Sequence, residues 1–597
     1  MFSSSSPRPT AMCPSLLAIL SALVLLAAPV QAGIWTTKHN LSSSGPGTIK
    51  STTETRVCVF CHIPHNAQPA TPLWGHTPSP AAYTVYASST IQGSIGQPNG
   101  SSKLCLACHD GAMAVGSVVP SYSYPIGSPI IFVAGTAAGG VLPAGSKVLG
   151  TDLRNDHPVS LTPASGAGAD QEIVTTLPAA SPVQYDAAGR VQCTSCHNPH
   201  DNANGKFLIQ PSLVGGFGSQ LCLPCHAKGN WTASSHRNSA KVYGAMTVKE
   251  HGCAICHKPH AAPIAARLVT GTEEGLCNTC HNGSASVTPA IKNIAGELLL
   301  PYKHPTDTVA AKHDPVETDA DLNDALKRHA ECADCHNPHG ASPGTHTPGS
   351  SKIGPVLVGA WGLKPVYSAT PMSEPVSWQK VVFTNTTDPD MLEAYLCFKC
   401  HKPLAKFFNP NNPSYHATVG SPKAGVRGLY VPPWNSATLM TCTDCHSSSS
   451  GIKGPHGSAY AANDGVNTVI LAADWLRGAP GFVDSGRGTG GTRDLAGGNR
   501  NSDSDLCFRC HDRRAYGSTT DHTFDLDPTS TGLSDGTYNY HSTHVEGRAC
   551  TICHVPHGSD QRALLANQGD WFGLNPWLQL SKGTPGNWSC LNCHDMH

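Results

Sequence analysis

Residues 193–200 read CTSCHNPH: two cysteines three positions apart, His197 directly after the second, then Asn198, Pro199 and His200. The arrangement of the thiols and the first imidazole decides what kind of protein this is. The second imidazole, three residues on, poses a separate question, because one histidine already completes the pattern.

The same core recurs along the whole chain. Of 25 cysteines, Cys13 stands apart, and the other 24 all fall in twelve Cys-x-x-Cys-His strings. They are Cys58-Cys61-His62, Cys105-Cys108-His109, Cys193-Cys196-His197, Cys222-Cys225-His226, Cys253-Cys256-His257, Cys277-Cys280-His281, Cys332-Cys335-His336, Cys397-Cys400-His401, Cys442-Cys445-His446, Cys507-Cys510-His511, Cys550-Cys553-His554 and Cys590-Cys593-His594. This is the attachment string of c-type haem. Its two thiols form thioethers with the two vinyl groups of one porphyrin, and the adjacent histidine lies under the iron. Disulfides in an exported protein or zinc sites would also use many cysteines. Neither chemistry requires a histidine after every second cysteine. The strings therefore call for twelve covalently attached haems c.

The strings come in pairs. Within the six pairs, the first cysteines of the two strings are 47, 29, 24, 65, 65 and 40 residues apart. The first member is often followed by x-Pro-His, giving His65, His200, His260, His339 and His557; the fifth pair instead reaches His456 in a stretched "GPHG". The second member follows Leu104, Leu221, Leu276, Leu396 and Leu506, with Ser589 as the exception. An apolar step lies between the two strings, as at Leu208, Leu268, Leu357 and Leu564. The variable gaps read as insertions on one repeated unit. The expected organisation is a signal segment at 1–32 followed by haem-pair units at 33–190, 191–250, 251–328, 329–440, 441–540 and 541–597.

His200 cannot reach the far face of the haem held by His197, because three residues of chain cannot pass around a porphyrin. It can reach the iron of a neighbouring haem, and Pro199 stiffens the connection by fixing its own φ and extending Asn198. Twelve six-coordinate irons need twelve distal ligands. Six mature-chain methionines are too few, so histidine is the expected donor. The x-Pro-His set and His456 supply six. His157, His236, His304, His416 and His522 follow the first five pairs, and His544, His597 and His39 are further candidates. His76, His251, His313, His329, His346 and His541 read as surface or turn residues.

Composition agrees with a cofactor-filled interior. Only 39% of residues are hydrophobic and 13% charged, while Gly and Pro number 59 and 48, as in a loop-rich chain. A formal net charge of −1 gives no reason to expect nucleic acid. An apolar run from Leu16 to Ala28 followed by "PVQAG" has the layout of a signal peptide cut after Ala32. No later stretch is apolar enough to span a membrane. The expected product is exported, to the periplasm or to the cell surface and medium.

With these strings in view, the chain resembles the secreted multihaem c-type cytochromes with doubled CxxCH motifs found in metal- and sulfate-reducing bacteria. The resemblance rests on the CxxCHxPH…LCxxCH units and covers residues 39–597. It departs at "CHKPL", where Leu404 follows the second string of its pair, and at the stretched fifth unit. It implies a multihaem fold of mostly irregular loops with short helices around a contiguous haem chain, and few strands. Inserts at 111–190, 341–396 and 447–506 are expected to carry small strands on the surface. The implied function is carriage of electrons along bis-histidine haems in extracytoplasmic respiration, to other redox proteins or cytochromes or to extracellular metal acceptors. No catalytic residue is assigned. Two alternatives stand beside it: a reductase with one open-site haem, and a homopolymeric filament subunit in which His39 or His597 reaches a neighbouring copy.

Overall fold

The structure, a computed structural model, describes residues 33–64, 67, 73–88, 91–118, 132–165, 172–283, 287–306, 330–422, 430–463, 468–471, 506–511, 554 and 556–559. The expected signal segment lies outside these, as do His65, His313, His329, His522, His541, His544, Cys550, Cys553, Cys590, Cys593, His594 and His597. The chain forms two compact bodies. One is Met1–Ala227 with Cys256–Thr270, and the other is Lys228–Ile255 with Gly271–His597.

Within both bodies, loops and turns connect short elements. The longest described helix, Gly100–His109, has ten residues and ends on a haem-string histidine. The sheets are small. In the first body Lys50–Ser51 pairs with Phe132–Ala134, and Gly93–Ile95 with Leu161–Pro163. In the second, Val242–Tyr243 lies between Met246–Thr247 and Val287–Thr288, and Tyr460–Asn463 pairs with Thr468–Leu471. The longest strands, Trp361–Val366 and Ser377–Val382, form an antiparallel hairpin with Trp361 opposite Val382.

That hairpin corrects one expectation. The insert at 341–396 does carry strands, but it is more than surface decoration. Ile353, Leu357, Phe383, Leu392, Tyr395 and Leu396 from the insert pack with Phe398, Ala405, Phe407 and Phe408 in one buried cluster. Gly362 lies directly against the helix Glu393–Cys397: a Cβ there would stand 2.5 Å from the Tyr395 carbonyl carbon. Among the described residues, the first body holds small apolar groups, such as Tyr83 with Leu106 and Leu153, and Tyr86 with Ala262 and Leu268. His76 is a second correction. It is buried, not a surface residue, and its two ring nitrogens face the carbonyl oxygens of Thr77 (2.9 Å) and Ala114 (3.1 Å).

Candidate haem-binding sites

Among the described residues, eight Cys-x-x-Cys-His strings close a helical turn by the same backbone bond. The histidine N–H donates to the carbonyl of the first cysteine at 2.8 Å in His62 and His446, 2.9 Å in His281, His336, His401 and His511, and 3.0 Å in His197 and His226. Positions i, i+3 and i+4 share a face of such a turn. Both sulfurs and the imidazole thus point to one side, as a single porphyrin requires. In three strings the residue just before the second cysteine stabilises the turn. Ser195, Asp334 and Asp444 accept the backbone N–H of Gln192, Glu331 and Thr441, at 3.0, 2.8 and 2.7 Å, each closing a capping box.

Successive strings are tied together. Sulfurs of the second string in one pair lie beside sulfurs of the first string in the next: Cys105 beside Cys193, Cys277 beside Cys332, and Cys397 beside Cys442. These sulfurs stand for thioethers in the haem-loaded protein. A residue four before the second string braces each junction. Ser101 Oγ meets Thr194 Oγ1 at 2.7 Å, Glu273 accepts from the Ala333 N–H at 2.5 Å, and buried Glu393 accepts from the Thr443 N–H (3.0 Å) and hydroxyl (2.8 Å).

Among the described residues, nine string histidines each face a second histidine. String histidines meet histidines from elsewhere in the chain, with ring centres as follows: His62–His200 6.0 Å, His109–His39 6.2 Å, His197–His260 6.2 Å, His226–His157 6.2 Å and His281–His236 6.4 Å. The same holds for His336–His456 6.0 Å, His401–His304 6.3 Å, His446–His557 5.9 Å and His511–His416 6.4 Å. These separations are too wide for ring contact. Two metal–nitrogen bonds of about 2.0 Å, with roughly 1.1 Å from nitrogen to ring centre on each side, place two ligands of one metal about 6.2 Å apart.

A register runs through these pairs. A first-string histidine faces the histidine that follows proline in the next pair: His200, His260, His456 and His557. A second-string histidine faces one placed upstream of its own pair: His39, His157, His236, His304 and His416. His456, from the stretched loop, takes the same place as the regular x-Pro-His residues.

Ring orientation and protonation suit iron. The Nδ1–H of His109, His197, His257 and His336 donates to the carbonyls of Lys147 (2.7 Å), Lys206 (2.9 Å), Arg267 (2.9 Å) and Val356 (3.2 Å). A carbonyl only accepts, so Nδ1 carries the proton and Nε2 keeps its lone pair. Burial, reinforced by neighbouring imidazoles, pushes His281, His401, His456 and His511 down to about 4 and His557 to about 3. At neutral pH these rings are uncharged, the form a metal binds. Beside one facing pair, an apolar cleft is lined by Tyr86, Leu106, Leu153 and His157, with Cys193 and His260 on its wall. One haem-attaching sulfur and two candidate distal ligands, His157 and His260, thus share an apolar cleft. The donor set, its spacing and this lining fit haem.

The carbonyl acceptors were not read from the sequence. A signal existed in the apolar step. Lys206, Arg267 and Val356 lie one or two residues before Leu208, Leu268 and Leu357, where the chain turns back over the string; His197 bridges to Leu208 there. Lys206 and Arg267 hold φ at +50° and +56°, a backbone state uncommon for side chains of this kind.

Three stretches of the chain match the doubled CXXCH motif family. They are residues 186–230, 246–286 and 541–597. They contain the second, third and sixth pairs, whose two strings stand 29, 24 and 40 residues apart, the shortest gaps of the six. No curated protein matches the chain. The paired motifs are those of a multihaem c-type cytochrome, a protein that holds haem covalently and takes part in electron transfer. Among the described residues no helix is long and apolar enough to cross a membrane.

Proposed function

We propose that the protein is a dodecahaem cytochrome that carries electrons along bis-histidine haems outside the cytoplasm. The facing imidazoles carry this reading. A string histidine opposed by a second histidine would hold an iron from both sides and leave no position for a substrate, which favours an electron carrier over a reductase with an open site. Haem supplies the redox chemistry; the chain holds it by the two cysteines and two histidines of each site and sets its spacing.

Contiguity is supported by the sulfurs. Cys61 lies within electrostatic reach of Cys105 and Cys108, Cys196 of Cys225, Cys335 of Cys397 and Cys400, and Cys445 of Cys510. Together with the junctions between pairs, these contacts support side-by-side haems in two runs, at the strings starting at Cys58, Cys105, Cys193 and Cys222 and at those starting at Cys277, Cys332, Cys397, Cys442 and Cys507. The signal-like leader favours export, with periplasmic or surface redox proteins, other cytochromes or extracellular metals as electron partners. In the filament alternative, His39 would serve a neighbouring copy; its position opposite His109 of its own chain favours an internal ligand instead.

Pyridine haemochrome analysis against protein mass, with low-temperature electron paramagnetic resonance of the oxidised protein, tests the reading. Twelve haems per chain, all low-spin, are expected. A count well below twelve, or a stoichiometric high-spin iron, would overturn the carrier with twelve closed sites.

A further inference from the structure

The prolines of the His-x-Pro-His strings have a second set of partners. The ring Nδ1–H of His39 donates to the Pro199 carbonyl (3.2 Å), that of His236 to Pro338 (3.0 Å), that of His304 to Pro455 (3.0 Å), and that of His416 to Pro556. His157 meets Pro259 through its backbone N–H (2.7 Å), while its ring turns to its own Pro158 (3.1 Å). All five donors are histidines that face a second-string histidine. The residue after Pro199, Pro259, Pro455 and Pro556 is the histidine that faces a first-string histidine. In each of these four strings, both partners belong to the same preceding pair.

We infer that the string is a clamp on two haems at once: its imidazole ligates the first haem of the preceding pair, and its proline carbonyl positions the imidazole that ligates the second. This rests on the bis-histidine reading and adds a role for a main-chain atom. Proline suits the task. Its ring fixes φ, so one of the two backbone rotations that aim the carbonyl relative to the preceding haem string is locked. A carbonyl on Nδ1–H fixes the tautomer and rotation of the distal ring and raises its donor strength. The ligand of one iron and the positioning group of the next are therefore one residue apart in the chain, and the two haems of a pair cannot be adjusted independently. The proline is a positioning residue here; the fixed geometry, not its side-chain chemistry, does the positioning.

The test uses the haem-loaded full chain and counts carbon monoxide bound per reduced protein, with total covalent haem as the control for folding. His200→Ala and His39→Ala should each open one iron and bind one carbon monoxide. Deletion of Pro199 should open both and bind two. A single carbon monoxide after the deletion would show that the carbonyl is incidental and overturn the clamp, while leaving the ligands intact. No carbon monoxide in His200→Ala would instead sink the bis-histidine reading beneath it. A milder variant, Pro199→Gly, keeps the carbonyl and frees its φ. It should shift the low-spin resonance of the iron that His39→Ala opens; an unshifted resonance counts against the clamp even if the deletion disturbs attachment.

Discussion

Between Ile353 and Val419, fifteen buried apolar residues form one cluster, with Phe383, Phe398 and Ala405 almost wholly excluded from solvent. In the first body, the buried apolar residues are grouped in twos and threes. The difference follows the spacing of the strings. The fourth pair has 65 residues between its first cysteines, enough chain to build a core of its own; the second pair has 29. Where the strings are close, the chain supplies hydrogen bonds and ligands, and the apolar interior is left to porphyrin. Where they are far apart, a conventional core grows between them. The molecule thus uses two ways of removing apolar surface from water, which is the dominant favourable contribution to folding in either case.

The largest expected effect would separate these two ways. Blocking attachment with Cys193→Ser and Cys196→Ser should abolish hydrogen-exchange protection around residues 190–226. The matching change at Cys397 and Cys400 should leave the protected amides of Gly359 and Phe383 slow to exchange, because their hydrogen bonds lie in the apolar cluster. Equal loss in both places would mean that the cluster has no stability of its own. Next in size is the cluster itself. Phe383→Ala should cost about 3–5 kcal/mol, the usual range for removing a large buried aromatic, read by denaturant unfolding of the loaded protein. A change near zero would mean the ring is not part of a close-packed core.

A smaller effect belongs to Glu393, which joins the cluster to the next haem string. Glu393→Ala leaves the Thr443 N–H and hydroxyl without their acceptor and should cost about 1–3 kcal/mol in the same assay. Glu393→Gln keeps an acceptor oxygen. Burial raises the pKa of the Glu393 carboxyl, so a neutral replacement suits the site. That variant should change stability by less than about 1 kcal/mol. A glutamine variant as damaging as alanine would show that the negative charge itself is required.

What the sequence discloses and what it withholds divide along a physical line. The strings are local: one helical turn holds both sulfurs and the imidazole, so the haem sites could be read from five residues at a time. The pairing of ligands is tertiary. His39 meets the Pro199 carbonyl across 160 positions, and no local spacing announces that contact. The carbonyl acceptors are silent for another reason, since every residue has one. The part of the cluster within the insert at 341–396 was read as surface because its Gly, Ser and Pro content masks the periodicity of a core. His76 shows the same limit, because a lone histidine gives no sign that its ring will be buried between two backbone carbonyls.

The register of facing histidines also has a consequence in time. Chains are made from the N-terminus, and domains tend to fold in that order. His39, His157, His236, His304 and His416 are each synthesised before the second string they face. His200, His260, His456 and His557 are each synthesised only after the following string has been made. On a chain that emerges from its N-terminus, the second haems of these five pairs would find their sixth ligand waiting, whereas the first haems facing His200, His260, His456 and His557 would stand with one axial side uncovered until the next repeat arrives. Completion therefore trails attachment by one repeat, and a chain halted between repeats would leave one iron exposed to small molecules that the finished protein excludes.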